Sequence, residues 1–518
     1  MHEHKKVARY ASVFGSATLL SRVLGLVRDA VSASLFGTGV AMDALVVALT
    51  IPNLTRRFFG EGALTAGFVP IFSDNLHRRG KEGALDLANK VTSVLLVILL
   101  SLLVAGWAGL WALGRFLPLG NRGELIIRLT EITLPYMVFI CMVGFFMGVL
   151  NTFRHFAVPA LAPAMHNIVL IAALLFICPH LGEWAIYGLA FAWLVGGMVQ
   201  FGAQLPVLRS KGMRFRFCPT LRDPEVQRVL RLTLPGIFGM AIFQINVVVD
   251  RFLALVLGEG AASALYFSNR IIEFPMGVFV IAVATAILPV MSSQTAARDI
   301  DGMRKSFSHS MRLVFFITIP SSVGLIVLHR PIIRLIYEWK VFGAASTDMT
   351  ASALMYYAIG LVAYAAVRIL AQSFYALKDT TTPAKVGACA VMVNVLFNLL
   401  LMYHLGAGGL ALATSISAFF NAAWLFYLLR QKMGCIGGKQ MVSSAARICS
   451  ASLFMGLVCH GLYAYSGVRF PANILGDKLM ALGIPLGAGL LVFFVTARIF
   501  GLRELEELKG SLWSRKST

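Results

Sequence analysis

Ser21-Arg22-Val23-Leu24-Gly25-Leu26-Val27-Arg28-Asp29 lies inside an apolar run that extends from residue 11 to residue 36. About 20 residues at ~1.5 Å each cross a ~30 Å hydrocarbon core, so the run is long enough to span a bilayer. A charge at that depth costs at least ~2.5–3.5 kcal/mol on insertion scales and is kept for a reason. The default reason is a polar pathway through the protein. Arg56 and Arg270 stand inside or at the edge of other apolar runs, and several cations with few anions predict an anionic cargo.

The rest of the chain agrees with a membrane reading. Of 518 residues, 58% are hydrophobic and 13% charged, against roughly 25% charged in soluble proteins. Mean hydropathy is +0.79. The apolar segments are helix length rather than the ~10 residues of barrel strands, which predicts an all-α polytopic membrane protein. Fourteen spans are expected. The basic residues 2–9 lead into an apolar stretch too long for a signal-peptide core, so no cleavable signal is expected.

With the N-terminus in the cytoplasm, the inside loops carry Arg78, Arg79 and Lys81, then Arg154, the basic loop Arg209–Arg222, Arg298, Arg304 and Lys305, Lys378, and Arg430, Lys432 and Lys439. Four outside loops, at 37–40, 179–183, 258–261 and 405–408, hold no Lys or Arg. This alternation is the positive-inside pattern, and it puts both termini in the cytoplasm. Arg115 and Arg122, Arg330, Arg334 and Lys340, and Arg469 and Lys478 are its outside exceptions. The net charge of +21 is accounted for mainly by these loops and by anionic membrane lipid, with no nucleic-acid partner expected. Seven scattered cysteines read as small core residues.

Ala44-Leu45 followed by Pro70-Ile71-Phe72-Ser73 recurs as Ala264-Leu265 followed by Pro289-Val290-Met291-Ser292. The weak repeat predicts two pseudo-symmetric six-helix lobes around a central cavity, at residues 1–220 and 221–436. Residues 437–518 hold spans 13 and 14 and a cytoplasmic tail. An even number of spans per lobe makes the repeats parallel.

Each candidate residue has a bland reading beside its functional one. Arg28 and Asp29 could pair locally, and Arg22 could snorkel. Arg56 and Arg57 could be ordinary inner flanks after the Pro52 kink, although Glu61 is placed to hold or gate a guanidinium. Arg270 and Glu273, three apart on a helix, could bridge each other. Asp43 sits near the outer end of the second span, and Arg368 is a lone mid-helix cation. Asn394, Asn398 and Thr414, with Asp250, could offer oxygen ligands to a small cation or make interhelical hydrogen bonds. No phosphate-binding loop, zinc-protease motif or nucleophile elbow is present, so ATP hydrolysis and covalent catalysis are not expected.

Ser21-Arg22-x-Leu24-Gly25-x-x-Arg28-Asp29, Asp43-Ala44, Pro52-Asn53-Leu54-x-Arg56-Arg57-x-Phe59-x-Glu61-Gly62-Ala63, Phe68-Val69-Pro70 and Arg270-x-x-Glu273-Phe274-Pro275-x-Gly277 resemble the MurJ (MviN) family over essentially the full length. The resemblance implies a member of the multidrug/oligosaccharidyl-lipid/polysaccharide exporter superfamily that flips lipid II, an undecaprenyl-diphosphate-linked peptidoglycan precursor, across the bacterial inner membrane. It implies a cationic central cavity, with spans 13 and 14 forming a lipid-tail groove. It assigns Arg22, Arg28, Asp43, Arg56, Glu61, Ser263, Arg270 and Glu273 to transport. Asn269 stands where some relatives carry Asp. A sodium ion at Asp250, Asn394, Asn398 and Thr414 is also implied, with Asn398 replacing an acid.

The expected function is therefore lipid II flipping by alternating access, required for wall synthesis. The substrate residues are Arg22, Arg28, Arg56, Arg270, Ser263 and Arg368, and Asp43, Glu61 and Glu273 pair the arginines when no cargo is bound. Guanidinium suits a diphosphate because it forks onto two oxygens and is weakly hydrated. No cofactor beyond sodium is expected, and peptidoglycan synthesis enzymes are candidate partners. The alternatives are a flippase for another lipid-linked polysaccharide, a drug or cation antiporter of the same superfamily, and a non-transporting membrane scaffold for wall synthesis.

Overall fold

The computed structural model describes residues 2–60, 63–469, 474–502 and 504–506, and among these there is no β-strand. The first helices are α1 (His2–Phe36), α2 (Val40–Ala48) and α3 (Thr50–Thr55), followed by a π-helical turn at Arg56–Gly60. Next come α4 (Ala63–Arg78), α5 (Gly80–Phe116), α6 (Asn121–Thr133), α7 (Tyr136–Thr152), α8 (Ala157–Phe176) and α9 (Ala185–Ser210). The chain continues through α10 (Pro224–Leu257), α11 (Ala261–Pro275), a second π-helical turn at Met276–Val280, and α12 (Ile281–Ala296). It ends with α13 (Ile300–Val327), α14 (His329–Tyr337), α15 (Ala344–Ala376), α16 (Thr381–Leu405), α17 (Ala407–Met433), α18 (Gly438–Arg469) and α19 (Leu475–Ile499).

Ten of the described helical stretches are long and apolar enough to cross a membrane, or eleven if α6 and α7, bent by 41°, form one span. A count of fourteen additionally requires α1, the interrupted α2–α3 stretch and α10. Those three carry Arg22, Arg28 and Asp29; Asp43 and Arg56; and Arg231, Asp250 and Arg251. The first-unit candidates thus lie on these three less apolar stretches, whereas Ser263, Arg270 and Glu273 lie on one of the ten apolar ones.

Two compact units emerge, Met1–Arg251 and Phe252–Thr518. This boundary falls inside α10, whereas the basic loop placed the joint between lobes at residue 220. In the second unit, α18 and α19 share a core with α13: Phe316 and Ile319 pack with Ile448, Ala451, Met455, Cys459 and Phe493.

The repeat is visible in local structure. The π-helical turns at 56–60 and 276–280 are displaced by 220 residues (276 minus 56). The helices after them, α4 and α12, carry Pro70 and Pro289, displaced by 219 (289 minus 70). A π turn inserts a residue into the helical ladder and re-aims the side chains beside it, a device common at functional sites. In the first unit this turn is fixed by close packing. A Cβ on Gly144 of α7 would collide with the backbone of Gly60, so two backbones touch where only glycine fits.

Candidate functional site

α1 presents Leu19, Leu20, Val23 and Val27 outward, all exposed. Their spacing covers one side of a 100°-per-residue helix, which leaves Ser21, Gly25, Arg28 and Asp29 to face protein. Arg28 and Asp29 are both buried. Arg28 Nε and Nη2 donate to Asp29 Oδ1 at 3.0 and 2.7 Å. Its Nη1 donates to Asn167 Oδ1 on α8 at 3.0 Å, and its guanidinium lies 5.1 Å from the Trp193 ring of α9. Asn167 in turn donates to the Ser21 carbonyl at 3.0 Å, clamping α8 to α1. His166 and Tyr136 continue the stack beside Trp193. Breaking a buried ion pair by removing one partner costs ~3–5 kcal/mol, so Arg28 is held firmly here. Arg22, on the same helix, is half-buried.

Asp43 of α2 is wholly buried and accepts from Arg122 Nη2 of α6 at 2.9 Å. Arg122 counted as an exception to the positive-inside pattern. The structure gives its reason for being there: it neutralises a carboxylate that has no access to solvent. Arg56 opens the first π turn and is half-buried, and the neighbouring Arg57 Nη1 reaches Gln244 Oε1 of α10 at 3.0 Å. Glu61 lies outside the described residues.

In the second unit, Gly260 with φ 86° caps α11, and the buried Ser263 hydroxyl donates back to its carbonyl at 3.1 Å. Two turns on, Arg270 Nη1 donates to Glu273 Oε2 at 2.9 Å, Nη2 approaches the Tyr266 hydroxyl at 3.4 Å, and the guanidinium lies 5.7 Å from the Tyr266 ring. Asn269 donates to the other Glu273 oxygen at 3.3 Å. An aspartate at 269 would repel Glu273, whereas the amide supports it. The side chains of Arg270 and Glu273 are 32% and 45% exposed. Partly exposed bridges of this kind contribute only ~0–1 kcal/mol. Arg270 can therefore exchange its carboxylate for another anion at little cost, in contrast to Arg28. Arg368 of α15 is exposed.

Residues 32–473 match the family described as lipid II flippase MurJ. A probable lipid II flippase MurJ of Vibrio cholerae is 35% identical over 437 residues, covering 82% of each chain. The lipid II flippase MurJ of Burkholderia cenocepacia is 33% identical over 510 residues, covering 96% of this chain and 97% of its own. The chain belongs to the MurJ family. It is thus a transporter, a multi-pass membrane protein, and not an enzyme. A solved lipid II flippase MurJ in an inward closed conformation superposes with a TM-score of 0.77 at 26% identity, over 94% of this chain and 98% of that one. An inward-facing multidrug resistance transporter of the MOP superfamily matches 82% of this chain and 98% of its own with a TM-score of 0.69 at 17% identity, which shows a shared fold alone.

As a MurJ family member the chain carries a second polar cluster, where a sodium ion was expected. Asn394 and Asn398 of α16 are wholly buried. Asn398 Nδ2 donates to Asn394 Oδ1 at 2.8 Å, Asn394 Nδ2 donates to Thr414 Oγ1 at 3.2 Å, and that hydroxyl donates to the Leu410 carbonyl at 2.9 Å. This is a directional hydrogen-bond chain from α16 to α17. The Asn394 and Thr414 oxygens each accept one amide N–H and keep a second lone pair. Asp250 belongs to the other unit, where Asn246 donates to it at 3.4 Å. Among the described residues no three His, Cys, Asp or Glu side chains converge as a metal site.

Sequence reading missed Arg122, Asn167, Trp193, Gln244 and Tyr266. A lone Asn and Trp in apolar runs is a weak signal, and only Tyr266, four residues before Arg270, was within reach of helical spacing.

Proposed function

We propose that this chain moves lipid II from the cytoplasmic to the outer leaflet of a bacterial inner membrane by alternating access, both termini lying in the cytoplasm. Arg270 in the second unit and Arg22, Arg28 and Arg56 in the first are assigned to the diphosphate. The observation that carries the reading is the state of Arg270: a guanidinium aimed by Tyr266, half-exposed, and bridged to a carboxylate it can surrender cheaply. Glu273 holds that charge when no cargo is bound. Arg28, tied to Asp29 and Asn167, takes part only if that buried cluster rearranges, so its replacement acts on shape as well as on binding. Asp43 serves its own unit through Arg122. Ser263 supports the first turn of α11, and Arg368 is a more distant contributor. Enzymes that consume lipid II at the outer face are the partners this function calls for.

The test is complementation of a flippase-depleted strain. Arg270→Ala abolishes growth with the protein still in the membrane, and Arg270→Lys restores it only in part, because an ammonium cannot make the bidentate contact. Full growth with single Ala variants of Arg22, Arg28 and Arg270 would remove the diphosphate assignment.

A further inference from the structure

The loop from Arg209 to Arg222 supplies positive charge, but transport does not explain how it is built. Its backbone is strapped to α5. Asn89 Nδ2 donates to the Arg214 carbonyl at 3.0 Å, and the Arg216 N–H donates to Asn89 Oδ1 at 3.4 Å. One turn further along α5, the Ser93 hydroxyl meets the Arg216 carbonyl at 3.3 Å and accepts from the Cys218 N–H at 3.0 Å. Lys90, between them, bridges to Asp223 at 2.7 Å. Two α5 side chains thus satisfy alternate peptide groups of a segment with no helix or strand of its own. Arg214 and Arg216 project exposed, and so do Phe215 (53%) and Phe217 (60%) between them. Leu221 is also exposed. A loop in bulk water has no use for two fixed, exposed phenylalanines.

α5 gives the depth of the strap. Its large exposed apolar side chains begin at Val97 and continue through Leu100, Val104, Trp107 and Trp111 to Phe116. That stretch is about 29 Å long at ~1.5 Å per residue, the thickness of the hydrocarbon core. The exposed α5 residues before Val97 are Gly80, Lys81, Glu82 and Asp86. Placing the edge of the hydrocarbon at Val97, the first exposed large apolar side chain of α5, sets the depth of the strap. Ser93 and Asn89 lie about 6 and 12 Å outside that edge, while the headgroup layer is ~5–8 Å deep on each side. The Ser93 end of the strap lies in that layer and the Asn89 end just beyond it. Aromatic rings favour this depth, and arginines beside them meet phosphates.

We propose that residues 213–218, strapped to α5, form a docking surface for anionic phospholipid headgroups, with Arg214 and Arg216 on the phosphates and Phe215 and Phe217 seated at the acyl boundary. The strap fixes the backbone that carries these four side chains, so binding orders little chain. The surface belongs to the first unit alone and holds whichever leaflet faces it.

The test uses the full chain in nanodiscs made from equal parts of phosphatidylglycerol and phosphatidylcholine. Phe215→p-benzoylphenylalanine and Phe217→p-benzoylphenylalanine are irradiated, and the adducts are identified by mass. Both positions yield lipid adducts, with phosphatidylglycerol favoured several-fold, and Arg214→Ala/Arg216→Ala brings the ratio of the two lipids close to one. Asn89→Ala/Ser93→Ala, which frees the strap, lowers the yield at residue 217. As a measurement independent of the photoprobe, native mass spectrometry counts fewer phosphatidylglycerol molecules on Arg214→Ala/Arg216→Ala than on the parent chain, with phosphatidylcholine unchanged. Adducts to protein only, no lipid adducts, or lipid adducts without preference for the anionic lipid would each overturn the proposal.

Discussion

Arg122→Ala takes the charged partner from a carboxylate that is 0% exposed. The Asp43–Arg122 bond is 2.9 Å long, and the Arg122 side chain is 27% exposed. Breaking a fully buried pair costs ~3–5 kcal/mol, and the partial exposure on the arginine side reduces this to ~2–3 kcal/mol. That is roughly a 30- to 150-fold change in the unfolding equilibrium, readable in a denaturant titration of the purified protein in detergent. Asp43→Asn costs less, because a neutral amide tolerates burial better and leaves the charge on the partner that reaches solvent. The double variant Asp43→Asn/Arg122→Ala lies close to Asp43→Asn alone, giving a coupling of about 2 kcal/mol in the double-mutant cycle. If the two single effects add within ~0.5 kcal/mol, or if Asp43→Asn is the costlier change, Arg122 does not neutralise Asp43 in the folded protein.

Three further outcomes follow from other parts of the structure. Gly144→Ala drives a methyl into the Gly60 backbone and should destabilise the first unit by ~1–3 kcal/mol, the usual cost of overpacking; a Tm equal to that of the parent would mean the two backbones do not touch. Asp379, before α16, is partly buried, which alone would raise its pKa, but Lys432 and Thr382 hold it at about 2. A depressed carboxylate adds stability above its unfolded pKa near ~4 and loses it as pH falls towards 2; with Lys432 45% exposed the effect is under ~1 kcal/mol. Asp379→Asn should flatten the stability profile between pH 4 and about 2, and an unchanged profile would show that the bridge contributes nothing. Outward movement of a cargo with about two negative charges gains ~4.6 kcal/mol from a 100 mV inside-negative potential, so dissipating the potential at constant sodium should stop flipping, and collapsing the sodium gradient alone should not. The reverse result, together with inactivity of Asp250→Ala, would establish the sodium site instead.

What the sequence revealed was local. Adjacency offers Arg28 and Asp29 as a local pair and helical spacing offers Arg270 with Glu273, and both bridges are present. Apolar runs locate the helices. Contacts between distant segments were not legible: Asn167 stands 139 residues from Arg28, Arg122 stands 79 from Asp43, and Gln244 stands 187 from Arg57. Periodicity says which side of a helix is apolar, but not which neighbour its polar side meets. The Asn394–Asn398–Thr414 cluster shows the same limit, since its spacing suits both an ion and a hydrogen-bond chain, and three of its side chains do hydrogen-bond from α16 to α17. The basic loop read as charge alone, because the hydrogen bonds that strap it come from α5, more than a hundred residues earlier.

The central claim is that this chain carries lipid II across the membrane and that Arg270 acts on its diphosphate. Its most direct test is to deplete the chain in cells and measure lipid II on each face of the inner membrane, with wild type or Arg270→Ala supplied in trans. Lipid II should accumulate on the cytoplasmic face and vanish from the outer one, restored by wild type and not by Arg270→Ala. An unchanged distribution on depletion would contradict the claim, and restoration by Arg270→Ala would leave the transport but remove the arginine from it.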